Sequence, residues 1–114
     1  MERVLDRHIV AIPFENLDVL CGRPPRLDLE SLQDKLVQRR RGGYCYEHTT
    51  LFAAVLEHVG FAAVPHSARV TMIADKSTAP RTHMLLTVAL RAGTFVVDPG
   101  FGGLTPRLPV PVDP

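Results

Sequence analysis

Gly42-Gly43-Tyr44-Cys45 places a thiol directly behind a pair of glycines and at the head of a run of apolar residues with helical spacing. Two glycines permit a tight loop with positive φ that delivers the next residues into a helix N-terminus. A thiol at that end meets the positive end of the helix dipole, which stabilises a thiolate, and Arg41 adds a cation beside it. The competing role for Cys45 is that of a small buried hydrophobe. A nucleophile needs a base, and His83 stands at the start of an apolar stretch behind the polar loop ADKSTAPRT. A base needs an orienting group, and Asp98 ends the apolar run Val96-Val97 before a glycine-rich turn. Its carboxylate could hold His83 in one tautomer and stabilise the imidazolium, or simply cap the turn. His48 follows Cys45 by one helical turn, so zinc held by Cys45, His48 and His83 is a rival arrangement. No Cys-x-x-Cys pair supports it, and no metal is expected. His8 and His58 lie on charged helical segments and His66 follows Pro65.

The elements that must position these groups follow from local pattern. A helix is predicted over residues 2–11, with Leu5 and Ile9 on one face and Pro13 stopping it. Residues 14–27, with Gly22, Pro24 and Pro25, read as loop. Asp28 is a suitable N-cap for a second helix carrying Leu29, Leu32 and Leu36, which ends near Arg40. A third helix starts close to Cys45 and runs to Gly60 with a stripe of Leu51, Phe52, Val55, Leu56 and Val59. Beyond Gly60, residues 64–73, 83–90 and 94–97 are rich in Val, Thr, Phe and Met and read as strands. The final LTPRLPVPVDP holds four prolines, excludes helix and central strand, and reads as the beginning of a linker. The fold class is therefore α+β: a helical segment (1–60) bearing the thiol, then a small antiparallel β-sheet or barrel (61–114) bearing His83 and Asp98, as one compact unit.

Strand register decides whether His83 and Asp98 can meet, because side chains alternate faces. A two-residue turn at Arg91-Ala92 puts Asp98 opposite Leu85, a diagonal neighbour of His83 roughly 7 Å away between backbones. A turn at Ala92-Gly93 puts it opposite Thr87, about 13 Å along the strand from His83. A three-residue loop puts it on the wrong face. Propensity does not choose among the three.

Bulk properties narrow the function classes. A chain of 114 residues with 46% hydrophobic content builds one small domain. A net charge of +1 gives no general attraction to nucleic acid or acidic membranes. The basic run Arg39-Arg40-Arg41, with Lys35 one turn before it, reads as a solvated helix end. No apolar stretch approaches the ~20 residues needed to cross a bilayer, and the charged N-terminus has no signal-peptide core. The expected location is cytoplasmic, where Cys21 and Cys45 are two free thiols.

Four stretches, taken together and in order, resemble the arylamine N-acetyltransferase family. They are Ile12-Pro13-Phe14-Glu15-Asn16-Leu17; Arg40-Arg41-Gly42-Gly43-Tyr44-Cys45-Tyr46-Glu47-His48; Thr82-His83-Met84-Leu85-Leu86; and Val97-Asp98-Pro99-Gly100-Phe101-Gly102-Gly103. The resemblance implies a cysteine-protease-like catalytic core with Cys45 as acetylated nucleophile, His83 as base and Asp98 as orienting acid. It implies a supporting network of Glu15 and Arg41, with Asp18 a further member, and substrate contacts from Phe14, Tyr46, Thr82, Gly100 and Phe101. Those contact residues serve equally well as packing. It also implies opening helices before residue 1 and a lid-like third domain after residue 114. Pro99 and Thr49 stand where other residues are expected.

The implied reaction moves an acetyl group from acetyl-CoA through an acetyl-cysteine to an arylamine, arylhydroxylamine or hydrazine, in a ping-pong sequence. General-base help from His83 is worth about 10²–10⁴-fold. Without a lid, acetyl groups are expected to leak to water, and uncovered apolar surface to favour self-association. The rival readings are a thiol hydrolase or transglutaminase-like enzyme using the same Cys-His-Asp logic, and a catalytically impaired short copy acting only as a binding module. Only the transferase reading predicts an acetyl adduct on Cys45.

Overall fold

The computed structural model describes residues 1–72 and 74–113. Helix α1 spans Glu2–Ala11 and stops as Ile12 turns extended ahead of Pro13. The stretch read as loop contains one turn of helix, α2 (Leu17–Leu20). Asp28 caps the next helix as expected, its side chain accepting from the Ser31 N–H. Helix α3 (Leu29–Leu32) then widens into a π-helical stretch, Gln33–Gln38, where the Arg39 N–H reaches back to the Asp34 carbonyl. Helix α4 runs Cys45–His58, with the thiol on its first residue.

Four antiparallel strands follow: β1 (Ala63–Arg69), β2 (Arg81–Leu90), β3 (Gly93–Val97) and β4 (Val110–Pro111), paired in chain order. Of the sheet-or-barrel alternatives the described residues form a sheet, with β1 and β4 as its edges. The first strand ends at Arg69 instead of near residue 73, and Ile73 lies outside the described residues. Two residues of the proline-rich segment read as a linker join the sheet. Val110 and Pro111 pair with Val96 and Phe95, and Arg107 bonds Asp6 on α1 at 2.7 Å. An edge position accommodates Pro111 because no N–H is required on the open side.

Leu90 pairs with Gly93 and Leu86 with Val97, so the hairpin turns at Arg91-Ala92. This is the register that brings Asp98 diagonally beside His83. The main core joins α1 and α4 to the sheet through Leu5, Phe52, Leu56, Leu86, Val88 and Val97. A second cluster of Leu32, Leu36 and Leu51 seats α3 and the π-helical stretch on α4. Of the anticipated α4 stripe, Leu51, Phe52 and Leu56 are buried, whereas Val59 is exposed at the helix end. The thiol-bearing helix is thereby packed against the strand of His83.

Candidate active site

Gly42 and Gly43 are needed for room and not, as the sequence suggested, for positive φ; neither has it. A Cβ on Gly42 would collide with the Pro13 carbonyl, and one on Gly43 would lie 2.7 Å from the Glu47 carboxylate. This close approach lets residues 13–15 pair with Gly43: the Glu15 N–H donates to the Gly43 carbonyl at 2.9 Å, and Phe14 is held beside the entry to α4. The left-handed residue is Arg40, φ 52, where the chain leaves the π-helical stretch.

A single cleft of about 420 Å³ opens where α4 meets β2. Cys45 and His83 line it, with Thr82, Gly100 and Phe101 around them and Phe14 across. His83 donates its Nε2–H to Asp98 Oδ2 at 2.6 Å, and the Gly100 N–H fixes the other Asp98 oxygen at 3.1 Å. With Nε2 committed to Asp98, Nδ1 is the nitrogen left to interact with Cys45. Phe101 packs edge-on to the imidazole at 5.1 Å. Burial works against a charged ring, but the hydrogen bonds and charges of Asp98 and Cys45 outweigh it and carry His83 up to about 9. Cys45 Sγ also lies 3.8 Å from the Thr82 carbonyl, a contact a thiol can make and a thiolate cannot. Gly100 packs directly on the helix start, where a Cβ would come within 2.9 Å of Cys45 Cα.

A ladder of alternating charges supports the entry to α4. Arg41 bonds Glu15 at 2.8 Å and Asp18 at 3.3 Å; Lys35 bonds Asp18 at 2.8 Å and Glu47 at 2.7 Å. The other Glu47 oxygen accepts from the Tyr44 N–H at the helix start. The expected Glu15–Arg41 pair and its Asp18 member are thus in contact. Arg39 and Arg40 are exposed, as expected of a solvated helix end, but Lys35 is only 7% exposed and Arg41 is half-buried against Glu15 and Asp18. Burial opposes the Lys35 charge, but hydrogen bonds to Asp18 and Glu47 raise its pKa above the ordinary lysine value. Burial likewise works to raise Glu15, and the Leu17 N–H and Arg41 overcome it and hold the carboxyl low.

Tyr46 does not line the cleft; it packs against Tyr44, which does, along with Asn16, Val70 and Met72. Helical rotation carries a side chain at position 46 away from the face that the thiol uses. His48 does not join Cys45 and His83 around an ion. Its two ring nitrogens bond His8 and the Pro13 carbonyl, and among the described residues no cluster of His, Cys, Asp or Glu could hold a metal. Cys21 is exposed and Cys45 buried, both free. Among the described residues no helix is long and apolar enough to cross a membrane.

Residues 1–114 match the family model described as N-acetyltransferase. The chain is 47% identical over 115 residues to the arylamine N-acetyltransferase of Mycolicibacterium smegmatis, covering 96% of this chain and 42% of that protein. It is 44% identical over 104 residues to that of Escherichia coli (strain K12), covering 91% of this chain and 37% of that protein. Among solved structures, the arylamine N-acetyltransferase of Mycobacterium marinum superposes with a TM-score of 0.91 at 44% identity, over 98% of this chain and 43% of that one. The structure of the same protein in complex with CoA superposes with a TM-score of 0.89 at 43% identity, over 97% of this chain and 43% of that one. The chain spans about two fifths of the length of these curated relatives. On the match across all its residues and on these likenesses, the chain belongs to the arylamine N-acetyltransferase family.

Proposed function

We propose that this chain carries the acetyl-transfer centre of an arylamine N-acetyltransferase, with Cys45 as nucleophile, His83 as proton carrier and Asp98 as its orienting acid in a cysteine-protease-like core. The observation that carries the reading is the placement of His83 between Asp98, at 2.6 Å, and Cys45 within one cleft. Cys45 and His83 share one proton, and the pair reacts as thiolate and imidazolium. In the first step the sulfur attacks the thioester carbonyl of acetyl-CoA. The C–S bond to coenzyme A breaks, and coenzyme A leaves with the His83 proton. In the second step a weakly basic amine attacks the acetyl-cysteine, its proton passes to neutral His83, and the Cys45 thiolate departs. Both steps exchange one acyl bond for another, and the starting pair is restored.

Phe14, Phe101, Tyr44 and Met72 give the cleft apolar walls suited to an aromatic amine, arylhydroxylamine or hydrazine. The Glu15–Arg41–Asp18–Lys35–Glu47 ladder keeps the entry to α4 in place. Two free thiols fit a reducing compartment, so the cytoplasm is the proposed location. The test is a single-turnover assay with acetyl-CoA and no amine. One coenzyme A should be released per chain, followed by acetyl-amine formation only when amine is added. Release that waits for the amine, or no release, overturns the reading.

A further inference from the structure

We propose that Thr49 is a positioning residue of the acyl-transfer centre, its hydroxyl holding the strand of His83 at the height of the Cys45 thiol; this rests on the acyl-transfer reading. Among the described residues, strand β3 pairs with β2 only from Leu86↔Val97 to Leu90↔Gly93. Beyond that point Asp98 turns to meet His83, and residues 81–85 of β2 keep β1 alone as a strand partner. Helix α4 takes the vacated side. Thr49 Oγ1 donates to the Met84 carbonyl at 3.0 Å, and Cys45 Sγ lies 3.8 Å from the Thr82 carbonyl. The spacing matches: positions four apart on a helix rise about 6 Å, and positions two apart on a strand about 6.8 Å. His83 lies between the two rungs.

The rungs are unequal. Sulfur is a weak donor, and a thiolate donates nothing. While Cys45 reacts, Thr49 is therefore the donor left to hold this register. A threonine inside a helix usually returns its hydroxyl to the carbonyl four residues back, here that of Cys45 itself. Thr49 instead spends it across the interface, and at 0% exposure no water replaces it.

The test is the rate of Cys45 alkylation by iodoacetamide against pH, in the wild type, Thr49→Val and Thr49→Ser. Asp98, Tyr44 and His48, the other titratable groups around the thiol, are unchanged in all three. The wild type should react at pH 6 well above the rate of exposed Cys21. Thr49→Val should lose about tenfold at pH 6, the upper range for one neutral hydrogen bond, and keep its rate at pH 10, where the thiolate no longer depends on His83. Thr49→Ser, which keeps the donor, should stay within about twofold. It is read in its own right: a tenfold loss at pH 6 with an unchanged far-ultraviolet spectrum overturns the inference. So does a wild-type pH profile in Thr49→Val. Wild-type Cys45 reacting no faster than Cys21 at pH 6 overturns the acyl-transfer reading, and the inference with it.

Discussion

The buried histidine pair beneath the cleft should make folding sensitive to mild acid, by an amount set by how far burial lowers the His8 pKa. His48 Nε2 lies 3.2 Å from the Pro13 carbonyl, which can only accept, so that nitrogen carries the proton and Nδ1 is bare. His8 Nε2, 2.9 Å from the bare nitrogen, must be the donor. Burial keeps both rings neutral while this chain runs from α1 through α4 to the Phe14 loop. Burial, and then the neighbouring His48, pushes His8 down to about 3, and burial pushes His48 down as well. Unfolded, His8 returns to about 6.5. A folded value below the unfolded one means that His8 supports folding above pH 6.5 and that this support drains as pH falls toward 3. Between pH 7 and pH 5 the loss from His8 alone comes to about 2 kcal/mol. His83 has the opposite sign: raised to about 9, it gives full support below pH 6.5 and loses it as pH climbs through 9. A comparison with His8→Gln cancels that contribution, because the amide can donate to His48 without titrating. In urea unfolding, the wild type should lose about 2 kcal/mol more than His8→Gln on going from pH 7 to pH 5. Equal losses in the two proteins would refute the buried neutral pair.

Two further substitutions probe the site's supports. Glu47→Gln leaves buried Lys35 with Asp18 as its remaining anion and should cost about 3 kcal/mol in urea unfolding, the low end for breaking a buried pair; a cost under about 1 kcal/mol would return Lys35 to the solvated helix end. Gly100→Ala puts a methyl 2.9 Å from Cys45 Cα and should slow acetylation of Cys45 by about tenfold or more, whereas Gly103→Ala, with nothing within 4 Å, should leave it unchanged. Equal acetylation rates in the two alanine variants would show that Gly100 does not set the thiol's position.

What the sequence disclosed and withheld divides along physical lines. Helix caps and stops are local, so the end of α1 and the starts of α3 and α4 were readable from Pro13, Asp28 and the Gly42-Gly43 pair. The Cys45, His83 and Asp98 candidates followed from residue type and flanking turns. Whether they meet depends on hairpin register, which is set by cross-strand pairing, and three registers remained open until Leu90↔Gly93 was seen. The role of Lys35 was hidden because a helical charge run looks the same whether its inner member faces water or carboxylates on neighbouring elements. The π-helical widening at Gln33–Gln38, which accompanies the burial of Lys35, leaves no mark in composition. His8 and His48 are forty residues apart, and their contact exists only in the packed core. Tyr44 and Tyr46 flank the thiol symmetrically in sequence; only the helix start separates the one that lines the cleft from the one that does not. Thr49 showed itself as an unexpected residue, but its partner on β2 was invisible before the interface was known.

On this reading the acetyl group is carried on one particular sulfur. Mixing the chain with acetyl-CoA, digesting it and locating the acetyl group by mass spectrometry identifies that sulfur. An adduct on the Cys45 peptide that disappears in Cys45→Ser and survives replacement of Cys21 is the predicted result. An acetyl group on Cys21, or none on either cysteine while the chain remains folded, would contradict it.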